Sequence, residues 1–123
     1  MSSFPEESLV NKNQYFVLDI LTSLNKSPSH LKKRLENSND EEIETLIEII
    51  RNLLAGNKMF KSPEYIKRMQ QYVKLLRNLV NSHSSVEYKR RKIIRNQKGG
   101  ALLASLVIPV IGSLLSGIIS RQL

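Results

Sequence analysis

Few side chains in this sequence are of a type and spacing that could do chemistry, and most of those are cations. The two histidines, His30 and His83, lie in turn-like stretches with no spaced carboxylate cluster nearby, and the chain has no cysteine, so no metal site is expected. Ser82-His83-Ser84 places hydroxyls beside an imidazole, but it lacks an elbow motif, and no nucleophile–base pair follows from it. Asp40, Glu41, Glu42 and Glu44 crowd one short stretch. They open an apolar-periodic segment, so they read as acids favoured by the dipole of a helix N-terminus rather than as a metal or acid–base cluster. Gly99-Gly100 is an isolated pair, and no Gly-rich loop is followed by Lys-Ser/Thr, so a phosphate cradle is absent. No catalytic residue, metal or cofactor is expected, and the chain does not read as an enzyme.

What remains is positive charge. The run Tyr88–Lys98 carries Lys89, Arg90, Arg91, Lys92, Arg95 and Lys98. Residues 58–98 hold twelve Lys/Arg against two acids, whereas residues 1–57 hold six against nine, within a net charge of +8 over 123 residues. A basic half suggests a polyanionic partner, DNA or an anionic membrane face, met at phosphates with little sequence specificity.

The elements that must position these cations read as helices. The polar residues 1–12 are expected to be disordered. Tyr15, Phe16, Ile20, Leu21 and Leu24 fall at helical spacing from about Asn13, and Asn25-Lys26-Ser27-Pro28 ends that helix. Ser27-Pro28 opens a short second helix with Leu31 and Leu35 inward and Lys32-Lys33-Arg34 outward. The third is capped by Asn39 or Asp40, carries Ile43, Leu46, Ile47, Ile50, Leu53 and Leu54 as its stripe, and stops at Gly56-Asn57. Ser62-Pro63 opens the fourth, whose stripe is Ile66, Met69, Tyr72, Val73, Leu76, Leu79 and Val80, with Lys67, Lys74 and Arg77 outside it. After a polar hinge at 81–85, Ser85 caps a fifth, basic helix running to about Asn96. The expected bundle covers 13–80, followed by the hinge and basic helix at 81–98.

The tail, Gly99–Ser120, holds 22 residues without a charge. As a helix it would reach roughly 33 Å, enough for a hydrocarbon core of about 30 Å. Pro109, Gly112 and Gly117 would interrupt a helix in water, while a membrane tolerates them where neighbours satisfy the freed backbone groups. Gly112-xxx-Ser116 and Ser113-xxx-Gly117 are spacings that permit close helix association, so a homo-oligomer through this face is one expectation. Three readings stay open: a spanning anchor, a kinked helix that lies in or perturbs a membrane, and a hairpin at Pro109 buried in an assembly.

Taken together, Asn52-Leu-Leu-Ala-Gly-Asn57, the helix Tyr72-Val-Lys-Leu-Leu-Arg-Asn-Leu79, the junction Gln97-Lys98-Gly99-Gly100 and the apolar tail resemble the adenovirus core-protein-X precursor-like proteins of adintoviruses and Polinton (Maverick) elements. The resemblance covers about residues 30–119. It implies a small virion core or minor capsid protein, found in the virion and in the host nucleus or cytoplasm, associated with packaged DNA or membrane. It also implies an adenovirus-type cysteine protease as partner, cutting after Gly-Gly, so that Gln97, Lys98, Gly99, Gly100 and Ala101 form a candidate cleavage junction. The alternative is a cellular tail-anchored membrane protein whose helical domain faces the cytosol. The expected fold is all-α: a small bundle, a basic helix, and a separate membrane-type apolar helix over 101–119.

Overall fold

A computed structural model describes residues 4–5, 7–60, 62–81, 83–97 and 101–122, with side chains described as far as residue 114 in the last segment. It is all-helical, with no strand among the described residues. The helices are α1 (Leu9–Lys12), α2 (Gln14–Leu24), α3 (Pro28–Glu36), α4 (Asp40–Leu54), α5 (Pro63–Met69), α6 (Val73–Asn81), α7 (Val86–Arg95) and α8 (Ala101–Gln122). Short 3₁₀ turns at Lys58–Phe60 and Gln70–Tyr72 complete the order.

Local chemistry places most of the boundaries. Ser27, Ser62 and Ser85 each accept from the backbone N–H three residues on, and Pro28 and Pro63 follow at the first helical position, where a missing N–H has no consequence. Asn39 and Glu42 form a reciprocal capping box at the start of α4. At its other end Gly56 takes φ +78°, the left-handed conformation that stops the helix. The expected fourth helix divides at the 3₁₀ turn 70–72 into α5 and α6.

α4 is the hub of the bundle. α1, α6, α7 and α8 all pack on it, and its buried set includes Thr45 and Ile49 beyond the expected stripe, as befits a helix covered on more than one side. Residues 1–12, expected outside the bundle, instead contribute Phe4 and Val10 to the core. Side chains hold that segment in place. Glu48 accepts from the Leu9 N–H at 2.9 Å, Asn11 donates to the carbonyls of Phe4 and Pro5, and Asn13 donates to Thr45 Oγ1 at 3.1 Å.

The largest correction concerns the tail. α8 was expected as a separate helix, but it packs on α2, α4 and the 58–60 turn. Leu102, Leu103, Leu106, Val107, Val110, Ile111 and Leu114 belong to one continuous core with Phe4 and Ile93 at its edges. Among the described residues no helix is long and apolar enough to cross a membrane. The physical reason is that the apolar faces of α2 and α4 and the 58–60 turn bury these aliphatic side chains away from water. Nor does the chain turn back at Pro109, since α8 continues through it. Proline at 109 cannot donate to the carbonyl of Ser105, four residues earlier. That carbonyl accepts instead from the Tyr65 hydroxyl at 2.7 Å. The Tyr65 ring stacks on Phe60 at 5.7 Å between centroids, and burial pushes its phenol up to about 12, opposed in part by the charge of Arg68.

Three outcomes are expected from this packing. A chain ending at Gly100 loses seven buried aliphatic side chains, each worth roughly 1.5–3 kcal/mol. That sum rivals a total stability of about 5–15 kcal/mol, so circular dichroism and amide NMR should show no cooperative unfolding. Tyr65→Phe should cost about 1–3 kcal/mol in urea denaturation, and clearly less in a Pro109→Ala background, where the N–H of residue 109 reoccupies the Ser105 carbonyl. Tyr65 is neutral when folded up to a pH above its unfolded value. Its contribution is therefore complete below pH ~10 and lost as pH rises through about 12. Tyr65→Phe should flatten the wild-type decline over that window.

Candidate polyanion-binding surface

The five described cations of the expected basic segment, Lys89, Arg90, Arg91, Lys92 and Arg95, do not form one exposed patch. α7 lies against α3 and α4, and its inward face is committed to the protein. Lys89 is buried, with Nζ 4.0 Å from a Glu44 carboxylate oxygen. Arg90 donates through Nη2 to the Ser38 carbonyl at 2.8 Å, lies 3.5 Å from Asp40 and pairs closely with Glu87. Its side chain is only 12% exposed, and its Nε is buried without a hydrogen-bond partner. Lys92 sits over the Tyr88 ring, 5.4 Å from its centroid. Arg91 is 72% exposed and touches Glu87 at 3.3 Å, and Arg95 is exposed with no ion pair among the described residues. Lys98 lies outside the described residues.

The acids at the start of α4 explain this arrangement. Each of Asp40, Glu42 and Glu44 faces a cation from another helix: Arg90, Arg34 and Lys89 respectively. Arg34, read from sequence as part of an outward basic face, is a junction. It donates to Asp19, to Glu42 at 3.0 Å and to Ser38 Oγ at 3.2 Å, and its guanidinium lies over Phe16 at 5.0 Å. Partial burial alone would lower its pKa, but the hydrogen bonds and charges of Asp19 and Glu42 outweigh it and raise the value. Among the described residues no acidic or histidine cluster could hold a metal.

What the fold adds is a groove between α3 and α7, with a volume of about 500 Å³, lined by Lys32, Glu36, Glu87, Arg90, Arg91 and Arg95 together with Ile94. It joins Lys32 to Arg91 and Arg95, residues far apart in sequence. Arg90 pairs closely with Glu87, whereas Lys32 and Arg91 are held loosely there, since the Lys32–Glu36 pair at 3.9 Å and the Arg91–Glu87 pair are exposed one-turn pairs. Such pairs contribute about 0.3–0.5 kcal/mol, so a phosphate can displace them. Sequence reading missed Lys32 as a member of this site, and no local signal there indicates that α3 meets α7.

The remaining candidates are also placed. Gln97 is half-buried and serves as a splice: its Nε2 donates to the Ile93 carbonyl at 2.9 Å, and its Oε1 accepts from the Leu103 N–H at 3.3 Å. It thereby closes the end of α7 and the start of α8. Ala101 is exposed, and Gly99 and Gly100 lie outside the described residues. On α8, Gly112 is exposed with open space about it, and Pro109 and Ser113 are half-buried. The side chains of Ser116 and Gly117 lie outside those described. No family model matches the chain, and none of the curated proteins or solved structures compared with it matches.

The partition of cations is testable by denaturation. Arg90→Ala should cost about 1–3 kcal/mol, because it strips the buried Ser38 carbonyl of its donor. Arg91→Ala should stay within about 0.5 kcal/mol of wild type.

Proposed function

We propose that this chain is a small polyanion-binding protein of the adenovirus-like virion core or minor capsid type, contacting DNA phosphates at the groove between α3 and α7. The observation that carries the reading is the convergence of Lys32, Arg91 and Arg95 on one open groove, with Asp40, Glu42 and Glu44 already paired with Arg90, Arg34 and Lys89. Phosphate binds there as a replacement for Glu36 and Glu87, without base readout. The sequence resemblance supplies the virion context, and processing between Gly100 and Ala101 by a Gly-Gly protease belongs to the same proposal. The exposure of Ala101 is compatible with it.

A second reading, membrane association through α8 as a tail anchor or lytic helix, draws on the 22-residue uncharged run and on Ile108, which is 57% exposed on the outer side of the helix. It requires α8 to exchange the bundle core for lipid.

Fluorescence anisotropy with duplex DNA of arbitrary sequence tests the first reading. With about three phosphate contacts, affinity should fall roughly 10- to 100-fold between about 50 and 200 mM salt. Arg91→Ala/Arg95→Ala should reduce the slope of log affinity against log salt by about 2. Salt-insensitive binding sinks the reading. Flotation with anionic vesicles that is unaffected by this double variant, but lost on Ile108→Glu, transfers the function to the second.

A further inference from the structure

Away from α7, a second surface has no assigned role. The C-terminal end of α4, the 58–60 turn and helices α5 and α6 enclose a half-open apolar groove of about 400 Å³. Leu54, Phe60, Ile66, Met69 and Val73 form its walls, and Gln70 and Arg77 stand at its rim. Ile66 is 47% exposed, a large aliphatic side chain in water at the mouth of a concavity. No lining residue is acidic.

Beside the groove, on the outward side of α5 and α6, Lys67, Gln70, Gln71, Lys74, Arg77, Asn78 and Asn81 are all exposed. Lys67, Lys74 and Arg77 make no ion pair among the described residues, in contrast to the cations of α7. The ten helical steps from Lys67 to Arg77 extend roughly 15 Å. A row of that length is longer than one carboxylate or phosphate head group, and the groove holds one or two large apolar side chains rather than a whole helix.

We propose that this surface docks an acidic amphipathic segment of a partner protein, with apolar anchors seated between Ile66, Met69 and Phe60 and carboxylates along Lys67, Lys74 and Arg77. Charge complementarity selects the occupant. An apolar anchor alone leaves the cation row unpaired, whereas a nucleic acid leaves the apolar groove unfilled. Met69 suits the role because its unbranched side chain adapts to varied anchors. Arg77 stands where apolar and charged contacts meet, and its planar fork matches a carboxylate in two-point contact. Binding of this kind follows the helix-in-groove pattern, with anchors one turn apart. The surface shares no residue with the α3–α7 groove, so the inference stands or falls independently of the polyanion reading.

The test is a titration of the full chain with a fluorescein-labelled synthetic peptide bearing Leu and Phe at i, i+4 among glutamates. Two sister peptides accompany it, one with Gln for Glu and one with Ala for Leu and Phe. The parent peptide should bind, and each sister should bind at least about tenfold more weakly. Ile66→Glu, a change at a half-exposed position, and the pair Lys74→Glu/Arg77→Glu should each weaken the parent peptide by a similar factor while leaving the circular dichroism unchanged. Arg91→Ala/Arg95→Ala should leave peptide affinity as in wild type. Equal affinity for all three peptides, or an affinity that Ile66→Glu does not alter, overturns the proposal. So does a dimer in sedimentation that Ile66→Glu dissolves, which assigns the groove to a second copy, or vesicle binding that the same change abolishes, which assigns it to lipid.

Discussion

The structure depends on one hydrogen bond. A proline two turns into a helix leaves a carbonyl without its donor, and a buried carbonyl without a donor costs about 1–3 kcal/mol. Here the deprived carbonyl is that of Ser105, and the Tyr65 hydroxyl supplies the missing proton at 2.7 Å. The phenol can do this because the Ser62-Pro63 start orients α5, and because Phe60 holds the ring from the other side. With Ser105 satisfied, α8 continues past Pro109 and its aliphatic side chains complete the core. Gln97 performs the corresponding service at the entry of α8, joining it to the end of α7.

The charge distribution follows from the same packing. In sequence, the acidic first half and the basic second half look like separate features, one solvated and one aimed at a partner. In the fold the two halves meet at the start of α4, where Asp40 and Glu44 face Arg90 and Lys89 from α7, while Glu42 beside them faces Arg34 from α3. Closely paired charges in a partly dry setting order a bundle more than they stabilise it. They also decide which cations remain for other molecules. Among those left over, two groups have different surroundings: Lys32, Arg91 and Arg95 around a polar groove, and Lys67, Lys74 and Arg77 beside an apolar one.

An uncharged helix of this length has two environments in which it is comfortable, lipid and a protein interior. The bundle provides the second for the described side chains of α8, leaving Ile108 and Gly112 on its outer side. Any lipid association therefore competes with a core already formed, so it is a change of state rather than an appendage acting by itself.

Much of this was legible without coordinates, wherever the cause is local. Ser-Pro starts, the Gly56 stop, the Ser85 cap and the Leu/Ile periodicity of α4 are decided within a turn or two of chain and sit where the sequence pattern places them, and of the two caps open for α4 the structure takes Asn39. The helical spacing of the apolar residues likewise indicated an all-helical chain. What a local reading misses is who neighbours whom. Residue type alone does not distinguish Arg90, held by the Ser38 carbonyl, from Arg91, which faces water. Nor does an apolar run reveal whether lipid or protein will cover it, or a proline in that run whether a hydroxyl some forty residues away will stand in for its missing partner. The sequence by itself determined the helices and the inventory of charge. Tertiary packing alone decided which charges are free and where the tail is buried, because both depend on contacts between segments distant in the chain.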